Sequence, residues 1–137
     1  MEIMTKDNNS TIYNIFIIDD DAFLLDMYAL KFSQKNFHVT TAGGTIEALE
    51  KLRGGYVPDI MVVDLVMPTM DGFEFLEQVK KEELIPSALI IILSNLGQRE
   101  DIERGKKLGA AGFIIKASAT PSEVVEKVLD AVEKNGK

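Results

Sequence analysis

Four short, apolar, β-branched runs in this chain each stop at a polar side chain, and this recurrence restricts the possible folds more than any other feature. The run over 15–18 stops at Asp19-Asp20-Asp21, that over 60–63 at Asp64, that over 89–93 at Ser94 and that over 113–115 at Lys116. A weaker run over 38–41 brings the expected strands to five. Runs this short, without in/out alternation, are strands covered on both faces, which is the condition of a parallel sheet between helical layers. The intervening segments supply those layers through apolar residues at helical spacing. They are Leu25, Ala29 and Phe32, then Ala48, Leu49 and Leu52, then Phe73, Leu76 and Val79, and finally Val124, Val125, Val128, Leu129 and Val132. An α/β domain follows from the alternation.

Composition narrows the class. A chain of 137 residues with 46% hydrophobic content suits one domain with one sizeable core. Its net charge of −7 would repel a phosphate backbone, so direct nucleic-acid binding is not expected. The absence of cysteine excludes disulfides, thiolate zinc and thiol nucleophiles. With no signal-peptide pattern and no apolar stretch of membrane-spanning length, the expected location is cytoplasmic and no membrane partner is expected. Residues 1–13 are read as a flexible polar tail and 14–137 as the domain. Thr120-Pro121-Ser122-Glu123 marks the start of the last helix, with Thr120 as N-cap and proline at the first helical position. The stretch 98–107 carries Ile102 as its main large apolar residue amid charged side chains, and reads as a loosely held helix with a solvated face.

In an open parallel sheet the carboxyl ends of the strands share one rim, and ligands bind in the crevice there. Three carboxylates there, Asp19, Asp20 and Asp64, would raise one another's pKa unless a cation intervened. All-oxygen donors without histidine or cysteine suit Mg²⁺. With Lys116 as a fixed positive charge and Ser94 as a hydroxyl, the set can hold the oxygens of a phosphoryl group, leaving Asp64 as nucleophile. His38, the only histidine, reads as a solvated strand residue. Asp21 and Asp71 read as helix N-caps, and Met67 and Met70 as packing residues.

These residues resemble the receiver domains of two-component response regulators, of the stand-alone chemotaxis type. The resemblance rests on Ile-Ile-Asp-Asp at 17–20, Asp-Leu-Val-Met-Pro-Thr-Met-Asp-Gly at 64–72, Leu-Ser at 93–94, Gly-Ala-Ala-Gly-Phe at 109–113 and Ile-Ile-Lys at 114–116. It covers about residues 14–134 in order and spacing. It implies a doubly wound, flavodoxin-like sheet of strand order 2-1-3-4-5. It also implies that Asp64 is the phosphoacceptor, that Asp20 binds Mg²⁺ directly and Asp19 mainly through water, and that the Val66 carbonyl is a further ligand. Ser94 would be the switch hydroxyl, Phe113 the switch aromatic and Lys116 the phosphoryl partner. The implied donor is a histidine kinase or phosphotransfer protein, and the implied output is a protein target bound through the fourth helix, fifth strand and fifth helix.

Two features depart from the family pattern. Ala117 follows Lys116 where the family has proline, which predicts a trans bond and a locally altered loop, and Phe113 stands where tyrosine is frequent. Two other functions compete. Asp19 and Asp21 have the spacing of haloacid-dehalogenase-type phosphohydrolases, but Phe23 stands where that family has threonine or valine, and Asp64 would have no role. A degenerate receiver used only for docking would have lost the acidic pair, the acceptor or the lysine, and all are present.

Overall fold

A computed structural model describes residues 12–136. The chain alternates β1 (Tyr13–Ile18), α1 (Ala22–Ser33), β2 (Phe37–Ala42), α2 (Thr45–Arg53), β3 (Ile60–Val63), α3 (Gly72–Lys81), β4 (Leu89–Ser94), α4 (Arg99–Lys107) and β5 (Ala110–Ile115). A 3₁₀ turn (Lys116–Ser118) and α5 (Pro121–Lys134) complete it. The strands form one parallel sheet of order β2-β1-β3-β4-β5, as the family resemblance implies. The expected tail over 1–13 lies outside the described residues, apart from Ile12 and Tyr13, and Tyr13 already belongs to β1. Among the described residues no helix is long and apolar enough to cross a membrane.

Alternation within the buried strands feeds two cores. Ile15 and Ile17 face Leu25, Tyr28 and Phe32 of α1 and Val124, Val125, Val128 and Val132 of α5. Phe16 and Ile18 face the opposite layer, where Ala48, Leu49 and Leu52 of α2 meet Phe73, Phe75, Leu76 and Val79 of α3. Burying each large side chain contributes roughly 1.5–3 kcal/mol, so a sheet filled on both faces is a stiff platform.

The helical stripes differ from expectation at two places. Tyr28, not Ala29, is buried on α1, since it lies between Leu25 and Phe32 on the 3.6-residue stripe and has the larger side chain. Leu129 is 37% exposed on α5, because the neighbouring Val125, Val128 and Val132 already fill the sheet-facing side. β5 also begins at Ala110, three residues before the apolar run expected for it. Backbone pairing with β4, with an irregularity between Ile90 and Ile91, recruits Ala110, Ala111 and Gly112 despite their weak strand propensity.

Candidate functional site

Register brings the carboxylates together. Ile18 and Val63 are level in the β1–β3 ladder, so Asp19 and Asp64 emerge side by side, and the Asp64 amide donates to the Ile18 carbonyl at 3.1 Å. Both side chains are buried, while Asp20 is exposed. One carboxylate oxygen from each of Asp19, Asp20 and Asp64 lies within 4.8 Å of the others.

Lys116 enters this cluster from the end of β5. Its Nζ is 2.7 Å from Asp19 Oδ2 and 2.8 Å from Asp64 Oδ2. Each buried carboxylate directs its second oxygen to the main chain. The Asp21 amide donates to Asp19 Oδ1 at 2.9 Å, and the Leu65 and Val66 amides donate to Asp64 Oδ1 at 2.7 and 3.3 Å. Burial pushes the Asp19 carboxyl above its usual range despite the neighbouring ammonium. Burial alone would lower the Lys116 pKa, but its bonds to Asp19 and Asp64 outweigh that and hold the ammonium form. Three carboxylates against one ammonium leave two formal negative charges in excess. That excess, with oxygen donors alone and one exposed carboxylate at the mouth, fits a hard divalent cation.

The loop after Asp64 is shaped from beneath by Gly72. A Cβ at this position would lie 2.2 Å from the Asp64 carbonyl oxygen, so only glycine lets the head of α3 approach. The Gly72 amide donates to the Leu65 carbonyl at 2.8 Å. Asp71 caps α3 reciprocally with Glu74, at 2.9 and 3.0 Å, and Thr45 Oγ1 ties the loop to α2 through the Met70 carbonyl at 2.5 Å. Asp21 caps α1 by accepting from the Leu24 amide at 3.1 Å. This is the capping role expected of it from the sequence.

Ser94 is fully buried at the end of β4, opposite Ile115 in the β5 ladder, and its Oγ accepts from the Leu96 amide at 3.4 Å. It sits on the same rim but bonds to its own loop, not to the carboxylates. Phe113 is half-buried and packs into the core beside Ile92. Val66 and Leu96 stand exposed on the two loops that leave β3 and β4. The rim thus brings Asp19, Asp20, Asp64 and Lys116 together directly, with Ser94 at the end of β4 on the same rim and Phe113 packed against the core.

Sequence reasoning missed two supporting residues. Asn95 Oδ1 accepts from the Ala117 amide at 2.8 Å and so holds the turn that carries Lys116, where the Lys116–Ala117 bond is trans. Nothing local marks Asn95, because its partner is distant in sequence and lacks any side-chain signal. In the sequence Gly72 stands only as the last residue of the 64–72 motif; its steric role depends on where α3 is placed.

Comparison with known proteins identifies the family and the fold. The sequence pattern of the response regulator receiver domain matches residues 15–129. The chain is 35% identical over 124 residues to the chemotaxis protein CheY of Listeria monocytogenes, an alignment covering 90% of this chain and 98% of that one. It is 28% identical over 123 residues to the probable transcriptional regulator ycf27 of Guillardia theta, but spans only 46% of that protein's length. Among solved structures, the chemotaxis response regulator CheY4 of Vibrio cholerae superposes with a TM-score of 0.79 at 26% identity, covering 88% of this chain and 99% of that one. The chain therefore belongs to the response regulator receiver domain family.

Proposed function

We propose that this receiver accepts a phosphoryl group on Asp64 and thereby changes a protein-binding surface. The observation that carries the reading is the state of the Asp64 carboxylate. It is buried at a strand end, hydrogen-bonded on one oxygen by two amides and on the other by Lys116, beside two further carboxylates. Those bonds fix the direction from which the carboxylate can attack phosphorus, which is what a positioned nucleophile requires.

In the transfer, an Asp64 oxygen forms the new bond to phosphorus as the bond from phosphorus to the donor's imidazole nitrogen breaks, and the histidine leaves. Lys116 neutralises charge on the phosphoryl oxygens, and the Ser94 hydroxyl offers a further hydrogen bond to them. The Asp19, Asp20 and Asp64 carboxylates with the Val66 carbonyl would hold Mg²⁺, whose charge offsets that of the phosphoryl group and of the acidic cluster. The domain catalyses only its own phosphorylation and dephosphorylation, as a switch in the cytoplasm.

The donor is a histidine kinase or phosphotransfer protein. Output runs through α4, β5 and α5: Ser94 drawn toward the phosphoryl group vacates space into which half-buried Phe113 turns. The deciding experiment is intact mass after treatment with acetyl phosphate. One phosphoryl adduct is expected with Mg²⁺ and none with chelator, and Asp64→Asn should abolish it. An adduct that survives in Asp64→Asn would overturn the assignment.

A further inference from the structure

α4 is attached to the domain unlike the other helices. Along its length Gly105 is the one buried residue and Ile102 is half-buried, so the apolar contacts that seat α1, α2, α3 and α5 are largely missing. Polar contacts with α3 stand in for them. The Arg104 guanidinium lies 4.3 Å from the centroid of the Phe73 ring, and its Nη2 donates to Glu77 Oε2 at 3.0 Å. Lys80 Nζ, farther along α3, donates to the Lys107 carbonyl at 2.9 Å. Phe73 and Glu77 are four residues apart and share one face of α3, so ring and carboxylate form a two-point seat for a single planar cation.

The head of α3 is itself fixed to the phosphoacceptor loop. Gly72 packs against the Asp64 carbonyl and bonds to Leu65, and Phe73 is the next residue. A contiguous line of contacts therefore runs from the Asp64 main chain through Gly72 and Phe73 to Arg104. It is separate from the route through Ser94 and Phe113.

We propose that Arg104 is a positioning residue that latches α4 onto α3 in the unmodified domain, and that release of this latch is what lets α4 repack. An ion pair between exposed side chains and a cation stacked on a ring are individually weak and easily exchanged, whereas a buried apolar seat is not. A helix held by such contacts is a low-stability unit that a small change elsewhere can rearrange. The latch is a property of the unmodified domain, and only its link to output rests on the phosphoacceptor reading.

Hydrogen exchange of the full chain, followed by mass spectrometry over residues 99–108, tests the latch without any phosphodonor. In Arg104→Ala the α4 amides should exchange about three- to tenfold faster, with α1 and α5 unchanged. Alanine is the better helix former, so faster exchange cannot come from weaker helix propensity. Arg104→Lys, which keeps the charge but loses the planar stack, and Glu77→Gln, which keeps the stack, should each give a smaller increase. Raising salt to about 1 M should narrow the gap between wild type and Arg104→Ala. Unchanged α4 exchange in Arg104→Ala, or an equal increase across the whole domain, would overturn the latch.

The same samples treated with acetyl phosphate and Mg²⁺ test the link to output. Arg104→Ala should take up as much adduct as wild type but show a smaller adduct-induced change over α4, because the latch is already released. An equal change in both proteins would refute the link. If wild type takes up no adduct, the phosphoacceptor reading fails, while the exchange of the unmodified proteins still decides the latch.

Discussion

α4 and α5 lie on opposite faces of the same sheet and are anchored by different physics. α5 buries Val124, Val125, Val128 and Val132 and begins with a reciprocal Thr120–Glu123 cap. α4 buries only Gly105 and is held to α3 by Arg104 and Lys80. Apolar burial is non-directional and proportional to area, so α5 is part of the scaffold. Exposed polar contacts are directional, weak and salt-screened, so the position of α4 is adjustable. A switch needs both, because a moving helix signals only against a fixed reference.

The largest expected difference comes from placing a charge on each helix. Val128→Asp buries an unpaired carboxylate and should cost more than about 4 kcal/mol, enough to abolish cooperative unfolding in urea. Ile102→Asp on α4 should cost about 1 kcal/mol and leave the transition cooperative. Similar losses at the two sites would break the comparison.

Within the rim, Lys116→Ala leaves Asp19 and Asp64 buried without their shared cation, and should cost about 3 kcal/mol. Added Mg²⁺ should recover part of that in thermal unfolding, and should also stabilise wild type by mass action. A melting temperature of Lys116→Ala that does not respond to Mg²⁺ would count against a cation site at the carboxylates.

Removing the α5 cap with Thr120→Ala should cost about 1 kcal/mol by denaturant titration, since the Glu123 amide loses its acceptor. A cost of zero would mean that the valine stripe alone defines where α5 starts.

The smallest effect is expected at the other tether of α3. Arg53 donates to Glu82 of the α3 C-cap through Nε at 2.9 Å and Nη2 at 2.5 Å, and this pairing, together with the Gln78 amide, lowers the Glu82 pKa to about 2. A carboxyl depressed in the folded state contributes stability above its ordinary value of 4.5 and loses it as pH falls toward about 2. The stability difference between wild type and Arg53→Ala should therefore be constant above pH 4.5 and shrink to nothing near pH 2. Unlike α4, α2 keeps its apolar seat, so Arg53→Ala should not quicken exchange across it. Faster exchange over α2 would show that polar tethers position helices here even where burial is ample.

Much of this could be read before any coordinates. Strand interiors such as 15–18 and 60–63 are legible because burial on both faces demands uninterrupted apolar residues, and Asp21, Asp71 and Thr120 because caps act within one helical turn. The acidic cluster was legible because Asp19 and Asp64 each end such a run. Ala29 and Leu129 were misplaced because periodicity gives a face of a helix but not how much of that face its neighbours leave open.

The sequence by itself determined the alternation of strands and helices, the capped helix starts and the polar residues at the strand ends, all of which follow from interactions along the chain or from burial. Tertiary structure alone decided the Asn95 support of the Lys116 turn, the close approach of Gly72 to Asp64 and the seating of Arg104 on Phe73 and Glu77. Each of these joins segments whose proximity is set by sheet register and helix placement, and side chains that meet this way carry no periodic or local mark of their partners.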